Sequence, residues 1–393
     1  MSERKDLREP TRLIHDKPDS RPLERTVGPP IQRGSTVLLN KAGDLYDHAQ
    51  VTYGRGGLAV HRALAEAIAE MEGAHACQLY PSGLAAVTGA LISLLRAGDE
   101  VLVSDNAYGP TRRFCDQVLT RMGMIVRYFP PRETPQGILG MAGDRLRAIL
   151  LESPGSLTFE IADTPALCRL AADRGVLTLM DNTWGAGMLF KPLDHGIDIS
   201  IQALTKYVCG HSDVFLGSAC ARDPALAEQL EEAMWHFGWS VSPDDAYQAL
   251  RGLRTLPVRM ERHGESGLKV ARWLEDQPQV HRVLHPALSR SPDHALWRRD
   301  YTGACGLFGV VLQPATARAV DALLNALTLF GLGFSWGGFE SLATSCDSQL
   351  RQRHYPPHFD GPLLRLHVGL EDPADLITDL ERGFAAFDAA QPA

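Results

Sequence analysis

From Leu58 to about Thr255 short apolar runs alternate with amphipathic stretches, and that alternation leaves the chain few folds to choose from. Leu58 to Glu72 carries apolar residues at helical spacing and stops at Gly73. Apolar runs follow at Ala76 to Tyr80, Glu100 to Val103, Ala148 to Leu151, Val176 to Met180 and Ile197 to Ala203, with a helical stretch at Ala85 to Leu95. This predicts a doubly wound α/β domain over residues 58–255 with a mainly parallel sheet. After about residue 256 the pattern changes. A helix around Leu268 to Leu274, strands at Val280 to Leu284, Leu307 to Leu312 and Leu363 to Val368, and helices at Thr316 to Leu329 and Pro373 to Phe387 predict a smaller C-terminal α+β domain over 256–393. Residues 1–57 are rich in Pro, Gly and charge and lack a core of their own, so they are expected to lie on something else. Pro130 to Gly143 reads as a Pro/Gly loop.

At 393 residues with 45% hydrophobic side chains, the chain can bury more than one core. The net charge of -8 and the absence of a long basic run argue against nucleic acid as a partner. Seven cysteines without a CxxC pair indicate neither a disulfide framework nor a zinc site, and no metal is expected. Met1 to Asp19 lacks the apolar stretch of a signal peptide, and no run approaches membrane-crossing length. A cytoplasmic location is the expectation.

Lys206 is the lone lysine, arginine or acidic side chain between Asp198 and Asp213. Burial lowers a lysine's pKa, which suits an amine that attacks an aldehyde, though a lysine snorkelling from a strand end fits the same pattern. Asp181 ends the apolar run Val176 to Met180, where open α/β sheets place ligands. It could keep a pyridine nitrogen protonated or simply cap the Asp-Asn-Thr turn. Pro81-Ser82-Gly83-Leu84 opens a helix whose free N–H groups could take a phosphate, and a plain N-cap explains it equally well. Tyr53-Gly-Arg-Gly-Gly57 offers a phenol and a guanidinium. It also matches a dinucleotide fingerprint through Ala59, but Asp44 to Thr52 lacks the strand that fingerprint needs. Arg365 stands alone in Leu363 to Val368, either as a carboxylate fork or on the exposed face of a half-buried strand.

Taken together, Ser200 to Asp213 around Lys206, Asp181-Asn-Thr-Trp184, Glu152-Ser-Pro-Gly-Ser156 and Tyr53-Gly-Arg55 resemble the transsulfuration family of fold-type I pyridoxal-phosphate enzymes over nearly the whole chain. Within it, Ser335-Trp-Gly-Gly-Phe-Glu-Ser341 and Arg365 to Asp372 are most similar to bacterial cystathionine β-lyases. The resemblance implies pyridoxal 5'-phosphate as cofactor, held as a Schiff base on Lys206, with Asp181 on the pyridine nitrogen and Tyr108 stacked on the ring. Gly83 and Leu84 amides and Thr205 would hold the phosphate, helped by Tyr53 and Arg55 donated from a neighbouring subunit. Arg365, assisted by Ser335, would take the substrate α-carboxylate, and Trp336 would shape the pocket. Either Tyr53 or Tyr108 would assist proton transfer.

The activity implied is β-elimination of the thioether cystathionine to homocysteine, pyruvate and ammonia by a homotetramer built from tight dimers. The alternatives are a γ-lyase, γ-synthase or sulfhydrylase, a β-lyase on cystine or S-substituted cysteines, or a non-catalytic regulatory protein. Three positions depart from the family pattern: Ala203 and Gly54, where relatives often carry a hydroxyl, and Leu58, where Thr or Asn is common.

Overall fold

Val101, Leu102 and Val103, Ile149 to Leu151, and Leu179 with Met180 are all essentially inaccessible, which requires strands covered on both faces. The computed structural model, which describes residues 7–14, 26–47 and 50–391, supplies those covers. Seven strands form the larger sheet: β1 (Ala76–Tyr80), β2 (Glu100–Ser104), β3 (Ile125–Phe129), β4 (Leu146–Glu152), β5 (Leu177–Asp181), β6 (Ile199–Gln202) and β7 (Gly217–Ala221). Their order is β1-β7-β6-β5-β4-β2-β3, with β3, β2, β4, β5 and β6 parallel and β7 antiparallel to both β6 and β1. One core packs helices α2 (Ala59–Glu72) and α8 (Pro243–Arg254) on one face, reaching Leu13 of α1 (Glu9–Ile14). A second core packs α3 (Gly83–Leu94), α4 (Gly109–Phe114) and α7 (Pro224–Phe237) on the other. The doubly wound, mainly parallel sheet expected from the alternation is the sheet observed.

Pro130 to Gly143 is not wholly a loop. Pro135–Gly140 forms α5, because Thr134 caps it by accepting from Gly137 N at 3.0 Å and Pro135 sits where its missing N–H costs nothing. Helix α6 (Thr164–Ala172) then leads into β5. The long helix α9 (Leu256–Glu275) passes to a five-stranded sheet of order β10-β11-β12-β9-β8. Its strands are β8 (Val280–Leu284), β9 (Leu307–Leu312), β10 (Gly331–Leu332), β11 (Leu342–Ser345) and β12 (Leu363–His367). Helices α10 (His294–Asp300), α11 (Ala317–Ala326), α12 (Asp347–Leu350) and α13 (Pro373–Ala390) complete the chain, and α11 and α13 cover the sheet through Leu323, Leu376, Leu380 and Phe384. Met1 to Asp19, read above as lacking a signal peptide, falls partly outside the described residues. Among the described residues no helix is long and apolar enough to cross a membrane.

Helix α2 ends where Gly73 takes a left-handed conformation, with φ 69°. The last helical residue, Glu72, is fully buried, and its carboxyl accepts from Ser200 Oγ at 3.1 Å and from Gln202 Nε2, both on β6. Desolvation raises its pKa to about 7 against those two donors. An acid whose pKa is raised by folding weakens the native state as pH climbs from the unfolded value of 4.5 to about 7, and the full penalty remains above that. Glu72→Gln keeps an acceptor for Gln202 and a donor for Ser200. It is expected to raise the unfolding midpoint at pH 8 by about 2–4 °C, with the gain fading toward pH 4.5. Thermal melts of both proteins across that range check it, and a gain independent of pH would refute the assignment.

Candidate active site

Parallel strands place their carboxyl ends on one edge, and here that edge gathers the chemistry. Asp181, the last residue of β5, is register partner to Glu152 on β4 and to Ile201 on β6. Its Oδ1 accepts from Thr183 N at 3.0 Å and Thr183 Oγ1 at 2.5 Å. Thr183 Oγ1 in turn accepts from Ala203 N at 2.8 Å, so one hydroxyl ties the end of β5 to the start of the turn that carries Lys206. That turn is closed by Lys206 N donating to Ala203 O and Cys209 N donating to Leu204 O. Among the described residues Asp181 Oδ2 accepts no hydrogen bond.

Lys206 Nζ donates to Ser335 Oγ at 2.9 Å and lies 5.6 Å from the Trp336 ring centre. The loop bearing these residues presses on the lysine turn. A Cβ at Gly337, where φ is 82°, would stand 3.0 Å from Lys206 Cα and 2.8 Å from Tyr207 N, so only glycine fits there. Arg365, on β12, donates to Phe334 O at 2.9 Å and Ser335 O at 3.1 Å, which ties the loop that meets Lys206 to the C-terminal sheet. It is 9% exposed, so the exposed-strand reading of Arg365 is excluded. Desolvation, then the Arg365 charge, lower the Lys206 pKa to about 8, opposed by Asp181. Desolvation also lowers Arg365 and raises Asp181 and Tyr108. Tyr108 is half exposed at the rim, within electrostatic reach of Arg365 and Asp181.

At the N-terminus of α3, Ser82 Oγ accepts from Ala85 N at 3.1 Å, and the N–H groups of Gly83 and Leu84 have no carbonyl one turn earlier to bond. A Cβ on Gly83 would come within 2.3 Å of Ala203 Cβ, so the small residue at 203 and the glycine at 83 form one close approach of loop to turn. A phosphate fits this end of the helix: among the described residues the Gly83 and Leu84 amides have no hydrogen-bond acceptor, and Gly83 has no side chain. The Thr205 hydroxyl donates to Leu216 O at 3.1 Å and accepts from Leu216 N at 2.9 Å, so a phosphate would compete with that carbonyl for its proton.

Lys206, Asp181, Tyr108, Ser335, Trp336 and Arg365 therefore meet within one chain; Tyr53 and Arg55 do not join them. Those two line a separate cavity with Leu58, His61 and Val241, and the Arg55 guanidinium rests 4.9 Å from the Trp235 ring. Thr183 and Glu152 lie within the sequence motifs and also join this edge, Thr183 through Ala203 N and Glu152 as register partner of Asp181. A hydroxyl two residues after the strand-end aspartate was the available signal for Thr183, and a strand-end acid in register with Asp181 was the one for Glu152.

The sequence pattern of the Cys/Met metabolism PLP-dependent enzymes matches residues 10–385. Cystathionine beta-lyase of Bordetella avium is 43% identical over 363 residues, covering 90% of this chain and 91% of its own. Cystathionine beta-lyase MetC of Escherichia coli is 42% identical over 370 residues, covering 90% and 92%. Among solved structures, cystathionine gamma synthase of Xanthomonas oryzae pv. oryzae in complex with cystathionine superposes with a TM-score of 0.90 at 31% identity, covering 98% of this chain and 99% of that one.

Proposed function

The chain belongs to the PLP-dependent enzymes of cysteine and methionine metabolism, and we propose that within this family it is a carbon-sulfur β-lyase acting on cystathionine. The observation that carries the reading is an amine of lowered pKa, Lys206, held by Ser335 within electrostatic reach of both the Asp181 carboxylate and the Arg365 guanidinium. Similarity to two cystathionine beta-lyases supports the β-directed reading over its γ-directed rivals.

The residues present suit pyridoxal 5'-phosphate. Lys206 would carry it, Asp181 would face its ring nitrogen, Tyr108 its ring, and the Gly83 and Leu84 amides with Thr205 its phosphate. Tyr53 and Arg55 would add to the phosphate site of a second copy, in a homotetramer working in the cytoplasm. When bound, the cofactor supplies an aldehyde for the substrate amine and a ring that takes up the electron pair left at Cα. Arg365 would give up the Phe334 and Ser335 carbonyls to hold the substrate α-carboxylate in a bidentate fork. The dry surroundings and then the Arg365 charge lower the Lys206 pKa to about 8, so a fraction of the amine is neutral near neutral pH and can take the Cα proton. Ser335 Oγ, 2.9 Å from that amine, orients it, and Trp336 walls the pocket beside the scissile bond.

Product analysis tests the reading. Purified protein loaded with pyridoxal phosphate and given cystathionine should release pyruvate, the product of β-elimination. Release of 2-oxobutyrate instead would move the assignment to γ-elimination, a reading favoured by the likeness to a cystathionine gamma synthase. No turnover of cystathionine, cystine or S-alkyl cysteines by loaded protein would favour a regulatory role.

A further inference from the structure

Glu152 closes β4 beside Asp181, and as register partners on adjacent parallel strands the two point to the same side of the sheet. Glu152 Oε2 accepts the backbone N–H of Tyr108 at 2.6 Å, and the Ser156 hydroxyl donates to the same carboxyl. The loop before Tyr108 is also held by Asp105 N donating to Phe129 O at 3.0 Å, Ser156 N donating to Asn106 O at 2.9 Å, Ala107 N donating to Ser104 O at 2.9 Å and Arg112 Nε donating to Ala107 O at 3.1 Å. At Tyr108 the backbone turns into α4 without a side-chain cap; its carbonyl accepts from Arg112 N at 3.1 Å and its N–H goes to Glu152, so the Glu152 bond is the tie on the cleft side of this residue.

The two acids are not equally provided for. Asp181 has two donors from Thr183 and faces the Lys206 amine. Glu152 faces Asp181 itself, and the cation that acts on it, Arg353, is engaged by Ser156 O and Thr158 Oγ1. Neighbouring carboxyls in one dry cleft do not both ionise cheaply, and the better-solvated one keeps the charge. From this geometry we propose that Glu152 is a positioning residue: through the Tyr108 amide it sets where the Tyr108 ring stands over the cleft, and it leaves the cleft's negative charge to Asp181. Desolvation, with the Asp181 charge adding to it, raises the Glu152 pKa to about 8, in keeping with an acceptor that works uncharged. The catalytic meaning of the ring's position rests on the cofactor reading above; the anchoring of the amide does not.

The test compares Glu152→Gln, which keeps a neutral acceptor, with Glu152→Ala and with Glu152→Met, which fills the space without one. Hydrogen exchange at the Tyr108 amide should quicken at least about tenfold in Ala and Met, with exchange in the sheet unchanged, and stay within about threefold of the unaltered protein in Gln. With pyridoxal phosphate loaded, kcat/KM should fall about tenfold or more in Ala and Met, with a shifted visible band, and Gln should restore both. Full protection of the Tyr108 amide in Met, or a Gln variant as impaired as Met, would overturn the proposal. Lack of pyruvate from the unaltered protein would count against the lyase reading alone, because the exchange measurement needs neither cofactor nor turnover.

Discussion

Lys206→Ala is expected to abolish borohydride-trappable attachment of pyridoxal phosphate and to lower cystathionine turnover by about 10⁴-fold or more. The size follows from two roles meeting at one atom. Removing a positioned base alone costs about 10²–10⁴-fold, and the same amine would also anchor the cofactor. No other side chain in the cleft can take over: Arg365 remains a cation, Tyr108 has a raised pKa, and Ser335 is oriented toward the missing amine. The unaltered protein carries a companion prediction. Only the neutral amine attacks an aldehyde, so the rate of cofactor attachment to apoprotein should rise with pH and level off above about 8, where an ordinary lysine, with its pKa of 10.5, would still be climbing. Stopped-flow absorbance across pH 6–10, roughly the span over which lysine amines lose their proton here, records that profile. Retention of more than about a hundredth of the activity in the variant, or a trapped cofactor on another lysine, would refute the role.

Why the convergence of Lys206 and Asp181 on one sheet edge could be read from the sequence, while each residue alone kept a second reading and the burial of Arg365 could not be read at all, is a matter of distance along the chain. Each of the first two stands at or just past the end of an apolar run, and the alternating pattern already placed those ends on one edge. Arg365 sits in a strand whose period-two pattern fits an exposed face. What buries it is the loop around Phe334 and Ser335, about a strand and a helix earlier, and no local periodicity reports that packing. Helix α5 was hidden for the opposite reason: its proline and two glycines read as breakers, while the Thr134 cap and that same proline in the first turn make a short helix. Glu152 and Thr183 lay in recognisable motifs, but their partners, Tyr108 N and Ala203 N, become neighbours only after the sheet forms. Tyr53 and Arg55 stand apart from the cleft in the single chain, where they line a separate cavity.

Asp181→Asn is the second large effect, and the hydrogen bonds around Asp181 dictate its character. Thr183 N and Thr183 Oγ1 both donate to Oδ1, so an asparagine must turn its carbonyl oxygen toward Thr183. The amide nitrogen is then forced into the place of Oδ2, where it presents hydrogens to the cleft. A carboxylate there favours a protonated ring nitrogen; an amide N–H favours the unprotonated one, and the ring loses the charge that lets it accept electrons. Turnover should fall about 10³-fold, the scale of losing one preorganised electrostatic contact at the reacting centre. The same substitution should leave a mark on Lys206. Asp181 raises the lysine pKa against desolvation and Arg365, so its removal should move the inflection of the cofactor-attachment profile below about 8. Two measurements on one variant therefore separate the roles of this carboxylate. Steady-state turnover reads its hold on the ring nitrogen, and the attachment profile reads its field at Lys206. An inflection that moves upward would show that Asp181 does not act on the lysine through its charge, and turnover within about tenfold of the unaltered protein would remove it from the cofactor site.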